Sequence, residues 1–148
     1  MKKVIIMLLC FTISGVAAKA QNNKQADPNA GKFKFTEETH DYGEVPEGPF
    51  AECDFVFTNT GNNPISITEA HGSCGCTVPE WPHDPILPGA NAKIHVKYNT
   101  SGRVGPISKD VIINSNAQQS PMVLHIRGTV KAKPAGDTQP SGDKVGKL

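Results

Sequence analysis

Beyond its first twenty residues the sequence has no apolar run of the ~20 residues that a membrane-crossing helix needs. It has no excess of charge either: 15 Lys and Arg stand against 14 Asp and Glu. That balance excludes the basic footprint of a nucleic-acid or anionic-membrane binder. No window carries convincing helical periodicity, and no internal repeat is visible. Enzyme signatures are missing. There is no G-x-S-x-G elbow, no H-E-x-x-H, no phosphate-cradling Gly loop and no dinucleotide fingerprint. With no obvious paired acids, the chain does not read as an enzyme. Cysteine is scarce, four in 148 residues, and tryptophan occurs once. Two of those cysteines and the tryptophan fall in one stretch, His71 to Trp81.

What is present starts with an address. Met1-Lys2-Lys3 is followed by an apolar run from Val4 to Val16 and then by Ala18-Lys19-Ala20. A basic start, a short apolar core and an A-x-A end make a secretory signal peptide over residues 1–20. Cys10 lies inside the apolar run behind Leu9, where a lipobox wants a small residue, so it is expected to leave with the signal. Cleavage removes Lys2, Lys3 and Lys19 and no acid. Twelve basic residues then face fourteen acidic ones, a net charge near −2. The mature protein is expected to be soluble, exported to the periplasm or beyond, and in an oxidising compartment. Residues 21–31 have a linker composition. Residues 131–148 have almost nothing to bury, cannot offset their ordering entropy, and are expected to be a disordered tail. The fold is expected over residues 32–130, a suitable length for a single sandwich of ~100 residues.

Alternation dominates that span. Phe33 and Phe35 alternate with lysines. Ala51, Cys53, Phe55 and Phe57 share one face, and Ile65 and Ile67 share another. The turn residues Asn59 to Pro64 between them predict a hairpin over Ala51 to Thr68, with Phe55 and Phe57 near Ile67 and Ile65. Pro46 marks His40 to Gly48 as an irregular edge. Ala92, Ile94, Val96 and Tyr98 form another strand. Val111, Ile112 and Ile113 read as a buried run, and Met122, Leu124 and Ile126 alternate again. About seven short strands predict an all-β fold, a single Ig-like β-sandwich. Its core is expected to hold Phe55, Phe57, Ile65, Ile67, Ile94, Val96, Ile113, Leu124 and Ile126.

Five pieces in order carry a family likeness: His-Asp-Tyr-Gly-Glu-Val at 40–45, Phe-Thr-Asn-Thr-Gly at 57–61, Ser-Cys-Gly-Cys-Thr-Val-Pro at 73–79, Ile-Leu-Pro-Gly at 86–89 and Tyr-Asn-Thr-Ser-Gly-Arg at 98–103. In this order they resemble the bacterial family known as domain of unknown function 1573, over about His40 to Val130. The resemblance implies an Ig-like sandwich related to the Hydin-type and major-sperm-protein-type domains, which mostly serve as binding or scaffolding modules. It implies no settled activity. Cys53 has no place in the family motif.

Chemistry is concentrated at Cys74 and Cys76. One residue apart, their thiols can converge on one small site, and Gly75 between them is expected to let the backbone bend sharply. The leading reading is structural, with the cysteines bridged or simply buried; in the bridged form one of the pair bonds Cys53 as a staple and one thiol is left free. A soft metal such as copper, held by the two thiolates and His71, is a second reading. A readily reduced disulfide between near neighbours is a third. Zinc is disfavoured, because four ligands at the usual spacing are not evident and His83 would have to help from among prolines. No cofactor is expected, copper or zinc being the exceptions. His95 and His125 read as exposed polar positions on outward strand faces. His40 and Asp41 read as organisers of the turn before Tyr42-Gly43. Trp81 beside Pro82 reads as a hydrophobic plug, with an exposed stacking contact as the alternative. Arg103 reads as a solvated loop tip, with anion contact as the alternative. Trp81 and Arg103 are the candidate partner-contact residues. Together these features predict an exported, non-enzymatic Ig-like binding or scaffolding module of the bacterial envelope. Its partner would be an envelope protein or glycan. The alternative is a thiol-redox or copper-binding protein.

Overall fold

Inward residues that recur every second position force extended strands, because only that repeat puts them all on one face. A computed structural model describes residues 27–133. It forms eight strands: β1 (Phe33–Phe35), β2 (Thr39–Pro46), β3 (Ala51–Asn59), β4 (Ile67–Gly72), β5 (Thr77–Glu80), β6 (Asn91–Tyr98), β7 (Gly105–Ser115) and β8 (Met122–Lys131). Among the described residues there is no helix, and so none long and apolar enough to cross a membrane. The expected signal segment with Cys10, most of the expected linker and residues 134–148 of the expected tail lie outside the described residues.

Two four-stranded sheets face each other, in the orders β1-β3-β6-β5 and β2-β8-β7-β4. This is the all-β Ig-like sandwich, with one strand more than the pattern predicts. All nine expected core residues are buried, and Phe33, Tyr98, Ile107, Val111 and Val130 join them. Ile112 breaks the expected buried run. It is half-buried and faces outward, as the pleat requires between Val111 and Ile113. Residues 27–31, linker-like in composition, are held against the sandwich: Gln118 donates its backbone N–H to Gly31 O and its side-chain amide to Pro28 O and Ala30 O.

The expected Ala51 to Thr68 hairpin does not form. Both edges of β3 are taken, by β1 and by β6, and β4 pairs with β7 in the other sheet. The chain arches between sheets instead, around the fully buried side chain of Asn59. Asn59 Oδ1 accepts from Lys32 N at 3.2 Å and Gly61 N at 3.0 Å. Its Nδ2 donates to Asn63 O and Ile86 O, both at 2.9 Å. One amide therefore satisfies the backbone groups that a ladder would otherwise have to pair. Ile65 and Ile67 still point into the core, and Ile65 bridges Ile86. Alternation identifies the buried face correctly; it carries no information about which strand lies alongside.

β2 is an edge strand, as Pro46 requires, and it pairs in parallel with β8. Its register slips between Asp41 and Glu44. At the slip Gly43 has φ +63°, Asp41 Oδ1 accepts the Gly43 N–H at 2.8 Å, and a Cβ on Gly128 would stand 2.9 Å from Gly43 O. Asp41 thus organises this turn as expected. His40 instead contacts Glu37, with Nδ1 at 2.8 Å from Oε1.

Candidate functional site at the Cys-Gly-Cys crossover

β4 and β5 are edge strands of opposite sheets, and residues 73–76 carry the chain between them. The crossover is tight. A Cβ on Gly72 would lie 2.5 Å from Thr77 O and 2.6 Å from Thr77 Cβ, so only glycine fits there. Ser73 and Asp110 exchange bonds, Ser73 N to Asp110 O at 2.8 Å and Asp110 N to Ser73 Oγ at 3.1 Å. Thr77 N donates to Cys74 O at 3.2 Å, and Asn99 N donates to Cys76 O at 2.9 Å. That last bond sets the alternation along β5, so Val78 and Glu80 bond to β6 while Pro79 turns its missing donor to the free edge.

Within this frame Cys74 and Cys76 are joined by a disulfide, with Cα atoms 5.2 Å apart. Cys74 is half-buried, Gly75 is exposed, and Cys76 is buried. The Cys76 N–H points at Cys74 Sγ, 3.3 Å away. Thr77 Oγ1 lies 3.6 Å from Cys74 Sγ and 3.9 Å from Cys76 Sγ.

The expected staple to Cys53 is absent, and Cys53 carries a free buried thiol. Topology explains this. Cys53 and Pro79 both pair with Val96, from opposite sides of β6. Two strand spacings separate them, about 10 Å. A disulfide spans Cα atoms no more than about 7 Å apart. Tyr42 Oη donates to Cys53 Sγ at 3.3 Å. Burial is the main cause that pushes the Cys53 thiol up to about 11, with the Tyr42 bond pulling the other way. Burial, then the Cys53 contact, also raises the Tyr42 hydroxyl. Cys53 is therefore a poor nucleophile and packs as a small apolar side chain.

Both sulfurs are spent in the disulfide, and His71 is exposed on β4 beside Glu69, its Nδ1 3.6 Å from Oε1. No three His, Cys, Asp or Glu side chains converge as a ligand set among the described residues. The backbone does turn at Gly75, as expected, but the turn does not use a conformation reserved for glycine. Gly75 is not among the glycines with positive φ, and a Cβ there would meet open space. Changing Gly75 to Ala should leave stability unchanged or raise it by about 0.4–1 kcal/mol, because a compatible backbone gains from a stiffer unfolded chain. Urea unfolding checks this; a clear loss would mean that the residue's conformation does need glycine.

Trp81 and Arg103 are not brought together. Trp81 follows β5 beside the start of β6, packs on the core, and leaves Nε1 buried without a hydrogen-bond partner. It walls a shallow groove with Pro82, Ala92 and Lys93. Arg103 lies past the far end of β6, at the same pole as the crossover. His95 and His125 face outward as expected, bound to Asp54 at 2.6 Å and Asp110 at 2.7 Å. Bonds from Lys93 and His95 hold the Asp54 carboxyl below its ordinary range.

The crossover pole carries a feature that sequence reading missed. Thr100, buried to 1% exposure, accepts from Gly48 N at 2.9 Å and donates to Gly48 O at 2.7 Å. Ser101 Oγ donates to the same carbonyl, and Gly102 N donates to Glu47 Oε1 at 2.8 Å. These bonds tie Glu47 and Gly48 to residues 100–102, and Phe50 and Val104 close by are more than half exposed. The signal was present as Thr100 in a loop of small polar residues, but its partner lies 52 residues away.

A family model described as "Protein of unknown function (DUF1573)" matches residues 33–130. No curated protein matches the chain. Among solved structures, a protein of unknown function from Porphyromonas gingivalis W83 is similar at 15% identity and a TM-score of 0.61, over 73% of this chain and 51% of that one. The chain thus spans about half the length of that relative. The ASH / PapD-like domain of human CEP192 (PapD-like domain 7) is similar at 9% identity and a TM-score of 0.55, over 90% of this chain and 99% of that domain. These likenesses concern the fold.

Proposed function

The chain belongs to the DUF1573 family, matched over residues 33–130, and from that premise we propose that it is an exported Ig-like module of the bacterial cell envelope that acts by binding a partner rather than by turning over a substrate. The observation that carries this reading is the locked pole. Loops held in one conformation lose little entropy when a partner docks, and exposed aromatic, apolar and Arg side chains are the usual anchors of a contact. Phe50, Arg103 and Val104 are exposed on just such loops. The signal-like first twenty residues support export. The partner is an envelope protein or a glycan.

The test places a photo-crosslinking residue at position 104 and, as control, at position 123 on the outer face of β8, in protein expressed in its own host. Adducts from 104 that weaken with Phe50→Ala or Arg103→Ala support the reading. A strict monomer that forms no adduct from 104 and recovers nothing from envelope extracts overturns it.

A further inference from the structure

Four of the five motif pieces have a structural task. Asp41 and Gly43 build the slip in β2. Asn59 closes the arch. Gly89 has φ +79° and donates its N–H to Asn59 O. Thr100 locks the pole. In the remaining piece Ser73, Thr77 and the carbonyls of Cys74 and Cys76 anchor the crossover, and Cys76 packs in the core, but the bond between the sulfurs of Cys74 and Cys76 adds little to the fold. Their disulfide closes a loop of only two bonds' sequence separation, which restrains the unfolded chain far less than a long loop does.

We propose that Cys74 and Cys76 form a reversible thiol–disulfide exchange centre, with Cys74 the sulfur that a partner thiolate attacks and Cys76 the sulfur released and later returned. The inference goes beyond docking and does not require it, since exchange can be read with a small thiol alone. Three observations carry it. First, access is one-sided: Cys74 is half-buried, Cys76 is only 7% exposed, and Gly75 puts no side chain over the pair. Second, donors are already in place. The Cys76 N–H faces Cys74 Sγ, and Thr77 Oγ1 sits near both sulfurs, so a thiolate formed at Cys74 has partners that stabilise it. Third, the frame does not depend on the bond. Ser73, Thr77 and the Cys76 carbonyl are held by backbone and hydroxyl bonds to Asp110, Cys74 and Asn99, so the S–S bond can open without opening the sheets.

The chemistry balances with a dithiol partner. One partner thiolate attacks Cys74 Sγ, and the Cys74–Cys76 bond breaks. Cys76 leaves with the electron pair and takes up a proton. The partner's second thiolate then attacks its own sulfur in the mixed disulfide and releases Cys74 as a thiolate. The partner is oxidised by two electrons and the cysteine pair is reduced by two. In reverse, the dithiol reduces a partner disulfide. Cys53 takes no part, being two strands away.

The exported protein is equilibrated across glutathione buffers of varied ratio, quenched with acid, alkylated differentially, and read at the peptide that spans residues 74–76. Coexisting oxidised and reduced forms are expected across that range. In parallel, Cys76→Ser should accumulate the glutathione adduct at Cys74 about tenfold faster than Cys74→Ser accumulates it at Cys76. A reduced dithiol peptide forms a second arm: faster exchange than with glutathione, lost on Phe50→Ala, assigns a polypeptide partner, whereas equal rates assign a small thiol. A wild-type pair that stays fully oxidised in excess reduced glutathione overturns the proposal, and this reading needs no variant to fold. Equal adduct rates at the two positions overturn the assignment of Cys74 as the attacked sulfur.

Discussion

Replacing Phe57 with alanine will lower the unfolding free energy by about 3–5 kcal/mol, the range for truncating a large buried aromatic. Phe57 is 1% exposed and sits at the centre of an aromatic trio. Its ring is 5.1 Å from Phe33, edge to face, and 5.1 Å from Phe35. Truncation removes the transfer free energy of the ring and leaves a cavity that cannot collapse easily, because β1 and β6 hold β3 on both sides. Aromatic pairing adds to the loss, about 0.5–1.5 kcal/mol for such a pair. Urea unfolding followed by near-ultraviolet circular dichroism gives the number. A loss near 1 kcal/mol would mean that β1 peels back and fills the void.

Asn59→Ala should cost about 2–4 kcal/mol although it removes no apolar group. The amide is fully buried and links four backbone groups from three segments. Alanine leaves the part-buried N–H groups of Lys32 and Gly61 without their acceptor, and a donor orphaned away from water costs about 1–3 kcal/mol, less where water reaches it. The Ile86 carbonyl suffers less, since it still accepts from Ile65 N at 2.9 Å. Asn59→Asp separates the two halves of the argument. It keeps the acceptor for both N–H groups but turns a buried oxygen toward Asn63 O and Ile86 O. It should be at least as damaging as alanine at neutral pH. An Asp variant with wild-type stability would show that the carbonyl side of the network contributes nothing.

These two residues mark what was legible in the sequence. Phe57 was readable because alternation alone selects the buried face, and the same rule found the whole expected core. Asn59 was readable only as a turn former. That it also breaks the hairpin and sends β4 to the opposite sheet depends on Lys32 and Ile86, each 27 residues away. The Cys53 staple failed for a related reason. β6 inserts between β3 and β5, and the distance is then too great. The crossover itself was legible as a place because its residue types are rare in this chain. Which sulfurs join was not, because near-neighbour and long-range bonds satisfy the same pattern. Trp81 and Arg103 were grouped by chemistry, whereas β6 sets them at its two ends.

The parallel pairing of β2 with β8 has a consequence for the order of assembly. Among the described residues, 39–46 have no neighbour in their sheet other than β8. During synthesis β2 must therefore wait for some eighty residues before it can dock (Thr39 lies beside His125). Loop-closure entropy has to be met before that contact returns anything, so the molecule belongs with the slow-folding β topologies, in about the millisecond-to-second range. Until β8 arrives, the edges of β2 and β7 are open to other chains. A chain cut before Met122 would keep most of its core residues and still lack the strand that joins β2 to β7. Its beginning and its end are committed in the same step.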